Sequence, residues 1–378
     1  MNIRKAKNFF LITIIFSVLF FSIADSANAS IMEPEKLPIQ GEIVIHSEKD
    51  IPRLEWIAGK YLQKGRFQDS ADLCKKILTY NGNSLKAMAY LAAAYKGLGE
   101  EKNFKNQSAA FKKQHPEFTD LYLALAWTYS ALEDFKKAEA ICKQGIKIIN
   151  DSNDLIMELA SLLLKQGKTG EAGIYYNSIL KKKNIPTKIF LNANFSLCRI
   201  RLEQKKFDAV IKQAGILTDL YPPIPQSYKF LADAYMGKKE YEKAVNTYKR
   251  LMSANPKSEL PFQEMALIYN DRLKDKGQAL FYAQKGVEKF PGNPKTMDIL
   301  GWILYINQQY SKALHQFQAA VKISDKNPWF YYHAGMAYQK MEKKSKAIEN
   351  YEKALDLLKG RPATNFKKQI KKLIVQCR

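Results

Sequence analysis

The chain has few of the residues from which a compact catalytic or metal-binding domain is usually built. Of its 378 residues, only four are cysteine and four are histidine, and neither type recurs at the spacing of a metal site. The sequence contains no glycine-rich phosphate loop, no nucleophile elbow and no cysteine–histidine dyad. We therefore expect a protein that is not an enzyme and that carries no metal and no cofactor.

Long apolar runs are also missing after the first residues. Arg4, Lys5 and Lys7 precede an uncharged, largely apolar stretch at residues 9–24, and residues 27–29 read Ala-Asn-Ala. This pattern predicts a secretory signal peptide over residues 1–29, with an uncleaved anchor as the alternative. We expect an exported protein, periplasmic or secreted, with no integral span after cleavage; peripheral attachment to the envelope membrane is compatible with this expectation. Residues 30–50 are expected to be extended or partly disordered.

Acidic residues are scarce relative to basic ones, 37 against 60, which gives a formal charge of +23. Export makes nucleic acid an improbable partner for this charge, so an anionic membrane surface or an acidic polymer is the more natural electrostatic partner. The alternative is that the lysines solvate outer helix faces. The basic residues of interest are Lys75, Lys76, Lys143, Lys249, Arg250, Lys285 and Lys353.

What the sequence does contain is a register of small residues, each following an apolar one. They are Ala58, Ala92, Ala126, Ala160, Cys198, Ala232, Ala266, Gly301 and Gly335. The successive intervals are 34, 34, 34, 38, 34, 34, 35 and 34 residues. A period of this length predicts a stack of helical hairpins, because one hairpin cannot bury both of its apolar faces alone. Cys74 and Cys142 fall at equivalent sites two repeats apart, so we expect the first three cysteines to be buried and unpaired.

The last two units carry the fullest pattern. One reads Leu300-Gly301, Leu304, Tyr310, Ala313, Phe317 and Ala320, and the next reads Ala334-Gly335, Tyr338, Ala347, Tyr351 and Ala354. Together they resemble the tetratricopeptide repeat, and the resemblance covers roughly residues 51–359. It implies an all-α solenoid of about nine helix-turn-helix pairs forming a right-handed superhelix over residues 51–361. The units are expected to begin near Ile51, Leu85, Thr119, Asn153, Leu191, Pro225, Glu259, Pro294 and Pro328.

Residues 362–378 form one further amphipathic segment. Phe366, Ile370 and Ile374 follow helical spacing, with Lys368 and Lys371 on the other face. We interpret the segment as a C-terminal capping helix, and a membrane-surface helix is the alternative.

Three departures from the register predict local irregularity. Phe104 replaces a small residue, which suggests a lengthened turn from Gly99 to Asn103 and a shortened second helix. Four extra residues near 181–186 suggest a break near 181–190 between blocks of four and five pairs. Arg201 and Val210 replace the usual Tyr and Ala, so any bend is expected near residues 181–210, with ordinary repeat drift as the alternative.

The resemblance also implies that the first helix of each pair lines a groove. The predicted partner-binding residues are Leu123, Trp127, Met157, Phe195, Arg199, Lys229, Asp233, Trp302, Tyr305, Tyr332 and Met336. Such apolar and aromatic side chains anchor protein segments at interfaces, although they could equally fill a tight superhelix from inside. Family members that capture carboxylates use Lys and Asn four residues apart, whereas Lys229 is followed by Asp233. A carboxylate clamp is therefore disfavoured.

These features favour a non-enzymatic exported scaffold that binds a protein or peptide segment. In this respect the chain looks like exported tetratricopeptide proteins of polysaccharide export, pilus assembly or surface-protein sorting, and we expect a role in assembling a cell-envelope complex. The alternative is a basic protein that adsorbs to an anionic membrane or acidic polymer.

Overall fold

A computed structural model of the chain describes residues 45–150, 152–360 and 365–377. The predicted signal peptide and most of the segment 30–50 lie outside the described residues. Within the described ranges all regular structure is helical: nineteen α-helices, one 3-10 turn at Glu48–Asp50 and one π-helical turn at Tyr269–Leu273. No helix among these residues is long and apolar enough to cross a bilayer.

The helices alternate as first and second members of nine pairs. The first helices are α1 (Ile51–Gln63), α3 (Leu85–Gly97), α5 (Thr119–Ala131), α7 (Asn153–Lys165), α9 (Thr187–Glu203), α11 (Pro225–Gly237), α13 (Leu260–Ile268), α15 (Pro294–Ile306) and α17 (Pro328–Lys340). The second helices are α2 (Phe67–Tyr80), α4 (Glu101–Gln114), α6 (Phe135–Ile149), α8 (Thr169–Leu180), α10 (Phe207–Leu220), α12 (Tyr241–Ala254), α14 (Lys276–Lys289), α16 (Tyr310–Ile323) and α18 (Lys344–Asp356). A final helix, α19 (Asn365–Cys377), follows the ninth pair. The all-α repeat fold with nine pairs and a capping helix is confirmed.

Two details of the expected unit boundaries are corrected. The fifth unit begins at Thr187 rather than Leu191, because the extra residues add a turn to α9, which has 17 residues where α7 has 13. The lengthened turn at Gly99 to Asn103 is wrong, since α4 begins at Glu101 and has 14 residues, like α2. The Phe104 ring is accommodated half-buried in α4, with the Lys96 amine 5.4 Å from its centroid.

The turns inside the pairs share one backbone feature. One residue in the turn of each of the nine units adopts a left-handed φ between 57° and 77°. In seven units the next residue donates its N–H to the carbonyl five residues back, as Glu240 does to Tyr235 at 2.9 Å, which is the Schellman arrangement that ends a helix. In the seventh unit Asp275 donates to the carbonyl of Tyr269, six residues back, at 2.9 Å. Three of the nine are glycine and six carry side chains; the nine are Gly65, Gly99, Glu133, Gly167, Lys205, Lys239, Lys274, Gln308 and Glu342.

The small residues of the register lie where the two helices of a pair touch. Ala58, Ala126 and Ala232 are fully buried. A Cβ added to Gly301 would lie 2.6 Å from the Phe317 ring, and one added to Gly335 would lie 2.7 Å from the Tyr351 ring. Close packing of the two helices therefore explains why only small side chains occur there.

The seventh unit accommodates its 35th residue inside its first helix. After Ile268 the helix widens into the π-helical turn Tyr269–Leu273. A single inserted residue commonly produces such a π-bulge. The left-handed turn residue is consequently Lys274, one place later than in the register of the other units.

The described residues form two compact units that divide between Gln204 and Lys205, in the turn of the fifth pair. We call them the N-terminal unit and the C-terminal unit and describe each by itself. Arg201 and Val210, the two departures from the register, flank the dividing turn.

All four cysteines are buried free thiols. Burial raises the pKa of the Cys74 and Cys198 thiols to about 12. A thiol that stays protonated is unreactive, so these residues act as small apolar packing groups.

The last helix closes the C-terminal unit. α19 packs against α18 and buries Phe366, Ile370 and Ile374. The Phe366 ring stacks 3.9 Å from that of Trp329, and the Gln369 amide donates to the Tyr332 hydroxyl at 2.8 Å. The capping helix is confirmed, and the buried part of its apolar face packs against the ninth pair.

Candidate partner-binding faces

The first helices of the N-terminal unit pack directly on one another: α1, α3 and α5 are in mutual contact. The Trp127 ring lies at the centre of this packing. The centroid of the Trp127 ring is 6.1 Å from that of the Tyr90 ring, and a Cβ added to Gly59 would lie 3.3 Å from Cζ3 of Trp127. The indole nitrogen of Trp127 is buried. Trp127 is therefore a packing residue in this unit.

A half-buried carboxyl, that of Glu158 on α7, lies beside Trp127. Burial raises the pKa of Glu158 on α7, against the smaller opposing effects of the Trp127 indole and of the Lys165 and Lys60 charges. Burial also lowers the pKa of Lys60 on α1, with Lys188 on α9 acting in the same direction. The first and fourth pairs thus face each other closely enough for their charges to interact. The inner face of this unit is largely filled by its own side chains.

The other predicted residues of the N-terminal unit divide into two groups. Leu123 and Phe195 are each only 8 % exposed, so they fill the array from inside and offer little surface to a partner. Met157 is half-buried and Arg199 is exposed. For Leu123, Phe195 and Trp127, the structure favours the inner-packing alternative over a free groove.

In the C-terminal unit the structure brings Lys229 and Asp233 of α11 together with Glu264 of α13. The Lys229 amine is 3.3 Å from the Asp233 carboxylate and 3.9 Å from that of Glu264. Burial acts to lower the pKa of Lys229, but the attraction of Asp233 and Glu264 outweighs it and raises that pKa. Burial raises the pKa of Asp233, against the pull of Lys229.

The sequence reasoning missed Glu264. In the register the equivalent position is Gln263, which is buried with its amide nitrogen unpartnered. Glu264, one position later, approaches Lys229 instead. The repeat pattern gave no signal of this arrangement.

A second polar pair, also missed, lies on α15 and α17. His333 Nδ1 is 2.7 Å from Asp298 Oδ1, and the two side chains are 12 % and 14 % exposed. Aromatic rings surround the imidazole: the centroids of Trp302 and Phe317 are 5.4 and 5.3 Å from it. Trp329 and Tyr332 lie at 6.0 and 5.6 Å.

Four predicted residues belong to the same region. Trp302 and Tyr305 stack with centroids 5.6 Å apart and planes inclined by 13°. Both are half-buried, as is Met336. Tyr332 is only 4 % exposed because Phe366 and Gln369 of the cap cover it, so it offers little surface to a partner. We define the C-terminal first-helix face as Lys229, Asp233, Glu264, Asp298, Trp302, Tyr305, His333 and Met336.

The basic residues proposed for surface adsorption are all exposed. Three of them already pair with acids on the same or a neighbouring helix: Lys143 with Glu139 at 2.6 Å, Arg250 with Asp219 at 2.9 Å and Lys285 with Glu288 at 3.0 Å. No group of three or more histidine, cysteine or acidic side chains within the described ranges is arranged to hold a metal ion.

These features define a helical-repeat protein. The helices are paired, each pair has a left-handed turn, small residues lie at the helix contacts, and an amphipathic helix caps the C-terminal end. Models described as tetratricopeptide repeat match residues 119–152, 225–258 and 330–357, and one described as TPR repeat matches 301–342. The chain therefore contains tetratricopeptide repeats over these residues.

The curated proteins similar in sequence to this chain include the following two. The TPR repeat-containing protein YpiA of Bacillus subtilis is 23 % identical over 184 residues, which is 49 % of this chain and 42 % of YpiA. Anaphase-promoting complex subunit 3 of Schizosaccharomyces pombe is 24 % identical over 63 % of this chain and 34 % of its own length. The chain thus spans less than half the length of either relative.

The solved structures that resemble this chain include two other repeat proteins. A tetratricopeptide repeat protein from Parabacteroides merdae has a TM-score of 0.49 at 15 % identity, covering 68 % of this chain and 97 % of its own. YrrB, described as a TPR protein with an unusual peptide-binding site, has a TM-score of 0.32 at 19 % identity, covering 61 % of this chain and 97 % of its own.

Proposed function

We propose that this protein is a non-enzymatic scaffold that binds a segment of a partner protein on the C-terminal first-helix face. Tetratricopeptide repeats support protein–protein interaction. The observation that carries the proposal is the stacked Trp302–Tyr305 pair beside the Asp298–His333 pair, because half-buried aromatic groups next to polar ones are typical of interface anchors. The filled inner face of the N-terminal unit offers no comparable surface.

The finer proposal is that the complex belongs to the cell envelope, in polysaccharide export, pilus assembly or surface-protein sorting. It is supported by the signal-peptide pattern in residues 1–29. Detection of the protein in the envelope or exported fraction of producing cells would agree with it, and retention in the cytosol with an intact N-terminus would contradict it.

Co-purification from producing cells tests the binding proposal. Trp302→Ala should remove at least one discrete partner that wild type retains. Phe281→Ala is the matched control, because Phe281 is an aromatic residue of the same unit that is 49 % exposed on α14. Trp302→Phe, which keeps an aromatic ring, should retain the partner and separates loss of binding from misfolding. Equal partner sets for Trp302→Ala and Phe281→Ala, with both variants folded, would contradict the proposal.

A second candidate is adsorption of the exposed lysines to an anionic membrane or acidic polymer. The exposure of all seven basic residues supports it. Such binding should disappear in about 1 M salt, where the Debye length is about 3 Å. Salt-resistant binding to anionic vesicles would contradict a purely electrostatic mechanism.

A further inference from the structure

We infer that the C-terminal first-helix face selects a partner segment carrying lysine or arginine next to apolar residues. This inference rests on the proposed function and adds the chemistry of the partner. The face carries more acidic than basic groups. Asp233, Glu264 and Asp298 supply three carboxylates, with exposures of 19 %, 15 % and 14 %, against the single ammonium of Lys229. Even with His333 counted as a cation, acids outnumber bases.

This balance is opposite to that of the whole chain, whose formal charge is +23. Non-specific attraction to the protein would favour acidic segments. A preference for basic segments would therefore have to come from this local arrangement. Partly buried charges are also screened less by salt than exposed ones, so the local carboxylates dominate over the distant surface lysines.

An incoming carboxylate would meet no free cation on the face. Lys229 is already held between Asp233 and Glu264, at 3.3 and 3.9 Å. An acidic segment would have to break this arrangement and would also face the two carboxylates. In the carboxylate-binding pattern the residue four places after the lysine is asparagine, and here Asp233 supplies a negative charge at that place.

An incoming guanidinium or ammonium would meet two complementary groups. The Trp302–Tyr305 stack offers an aromatic surface over which a cation is attracted. The Asp298 carboxylate lies beside it, since its partner His333 is 5.4 Å from the Trp302 ring. Arginine suits this combination best, because its planar group stacks on a ring and also bonds a carboxylate. Half-buried Met336 extends the apolar surface of the next pair.

Selection from a random dodecapeptide phage library on the purified full-length protein tests this inference. Peptides are scored as specific for this face when wild type retains them and Trp302→Ala does not. We expect these peptides to be enriched in Lys or Arg flanked by apolar residues. Enrichment in acidic or uncharged peptides would overturn the inference and leave the proposed function intact. Absence of any Trp302-dependent peptide, with the variant folded, would overturn both.

Synthetic copies of the selected peptides then isolate the role of charge. Asp298→Asn and Glu264→Gln should each weaken binding roughly tenfold, the effect of losing one partly buried charge contact. Glu349→Gln is the matched control, because it removes the same charge from an exposed site on α18, and it should change affinity less than about twofold. Equal losses of affinity in Asp298→Asn, Glu264→Gln and Glu349→Gln would overturn the inference. They would show that the carboxylates affect peptide affinity only through long-range charge.

Discussion

The stacking of one pair on the next can be tested at Gly237, the last residue of α11. A Cβ built on Gly237 would lie 2.5 Å from Cζ of Phe207 and closer still to Cε1. Phe207 begins α10, the second helix of the preceding pair, so this contact joins α10 to α11 within the C-terminal unit. Gly237→Ala forces the half-buried Phe207 ring off the backbone of α11.

The expected magnitude follows from two opposing effects. Overpacking of this kind costs about 1–3 kcal/mol of unfolding free energy. Replacing glycine by alanine in a helix returns up to about 1 kcal/mol, and less at a helix end. Gly215→Ala measures the favourable effect alone, because Gly215 lies within α10 and a Cβ there would meet no atom within 4 Å. We expect Gly237→Ala to be less stable than Gly215→Ala by about 1–3 kcal/mol, because the helix gain is common to both variants.

Urea unfolding followed by circular dichroism gives this difference, and a double-mutant cycle with Phe207→Ala assigns its cause. In the Phe207→Ala background, Gly237→Ala should no longer destabilise. The pair Gly97 and Phe67 repeats the arrangement in the N-terminal unit, where an added Cβ would lie 2.6 Å from Cδ2 of Phe67. If Gly237→Ala stabilises as much as Gly215→Ala, the Phe207 ring does not pack on Gly237 and the reasoning is refuted.

Three further predictions follow from single residues. Lys239→Gly should stabilise the protein by about 0.5–1 kcal/mol, because φ is 64° at this residue and glycine tolerates the left-handed region. Thermal unfolding measures the change, and a lower unfolding temperature for Lys239→Gly would contradict the prediction. Glu158→Gln should stabilise the protein at pH 7: burial raises the pKa of Glu158 above its ordinary value of 4.5, so its favourable contribution is present at low pH and is lost as pH rises through the folded-state pKa. The stability gap between this variant and wild type should therefore close on acidification, and a gap that widens towards low pH would refute the assignment. Binding of a cationic peptide to the C-terminal first-helix face should weaken as pH falls. Burial raises the pKa of Asp233, which faces Lys229, Glu264 and Tyr248, and protonation of Asp233 removes one carboxylate from the face. A pH titration of peptide affinity, with Asp233→Asn as control, measures this, and a pH profile that is the same in Asp233→Asn as in wild type would contradict the role of Asp233.

The pairs of helices were predictable because the register reports helix contacts directly. A small residue every 34 positions marks where two helices touch, and eight of the nine first helices begin within one residue of the expected place. The exception is α9, where added residues can extend either a loop or a helix, and the period alone does not distinguish these outcomes.

The partner-binding face was only partly predictable. Trp302, Tyr305, Lys229 and Asp233 were identified from their positions in the unit, but Glu264 was missed because it lies one position after the expected one, Gln263. Asp298 and His333 were missed because pairing across helices depends on distances between units. For the same reason the sequence could not show that Leu123 and Phe195 are buried inside the array.

The central claim is that a protein segment binds along the first helices of the C-terminal unit. Site-specific photo-crosslinking in producing cells tests it most directly, with the crosslinker placed at position 302 on the face and at position 281 on the exposed surface of α14. The account predicts one discrete adduct at position 302 that is absent at position 281, whose crosslinked peptide contains lysine or arginine. Adducts at position 281 alone, or the same diffuse adducts at both positions, would contradict it.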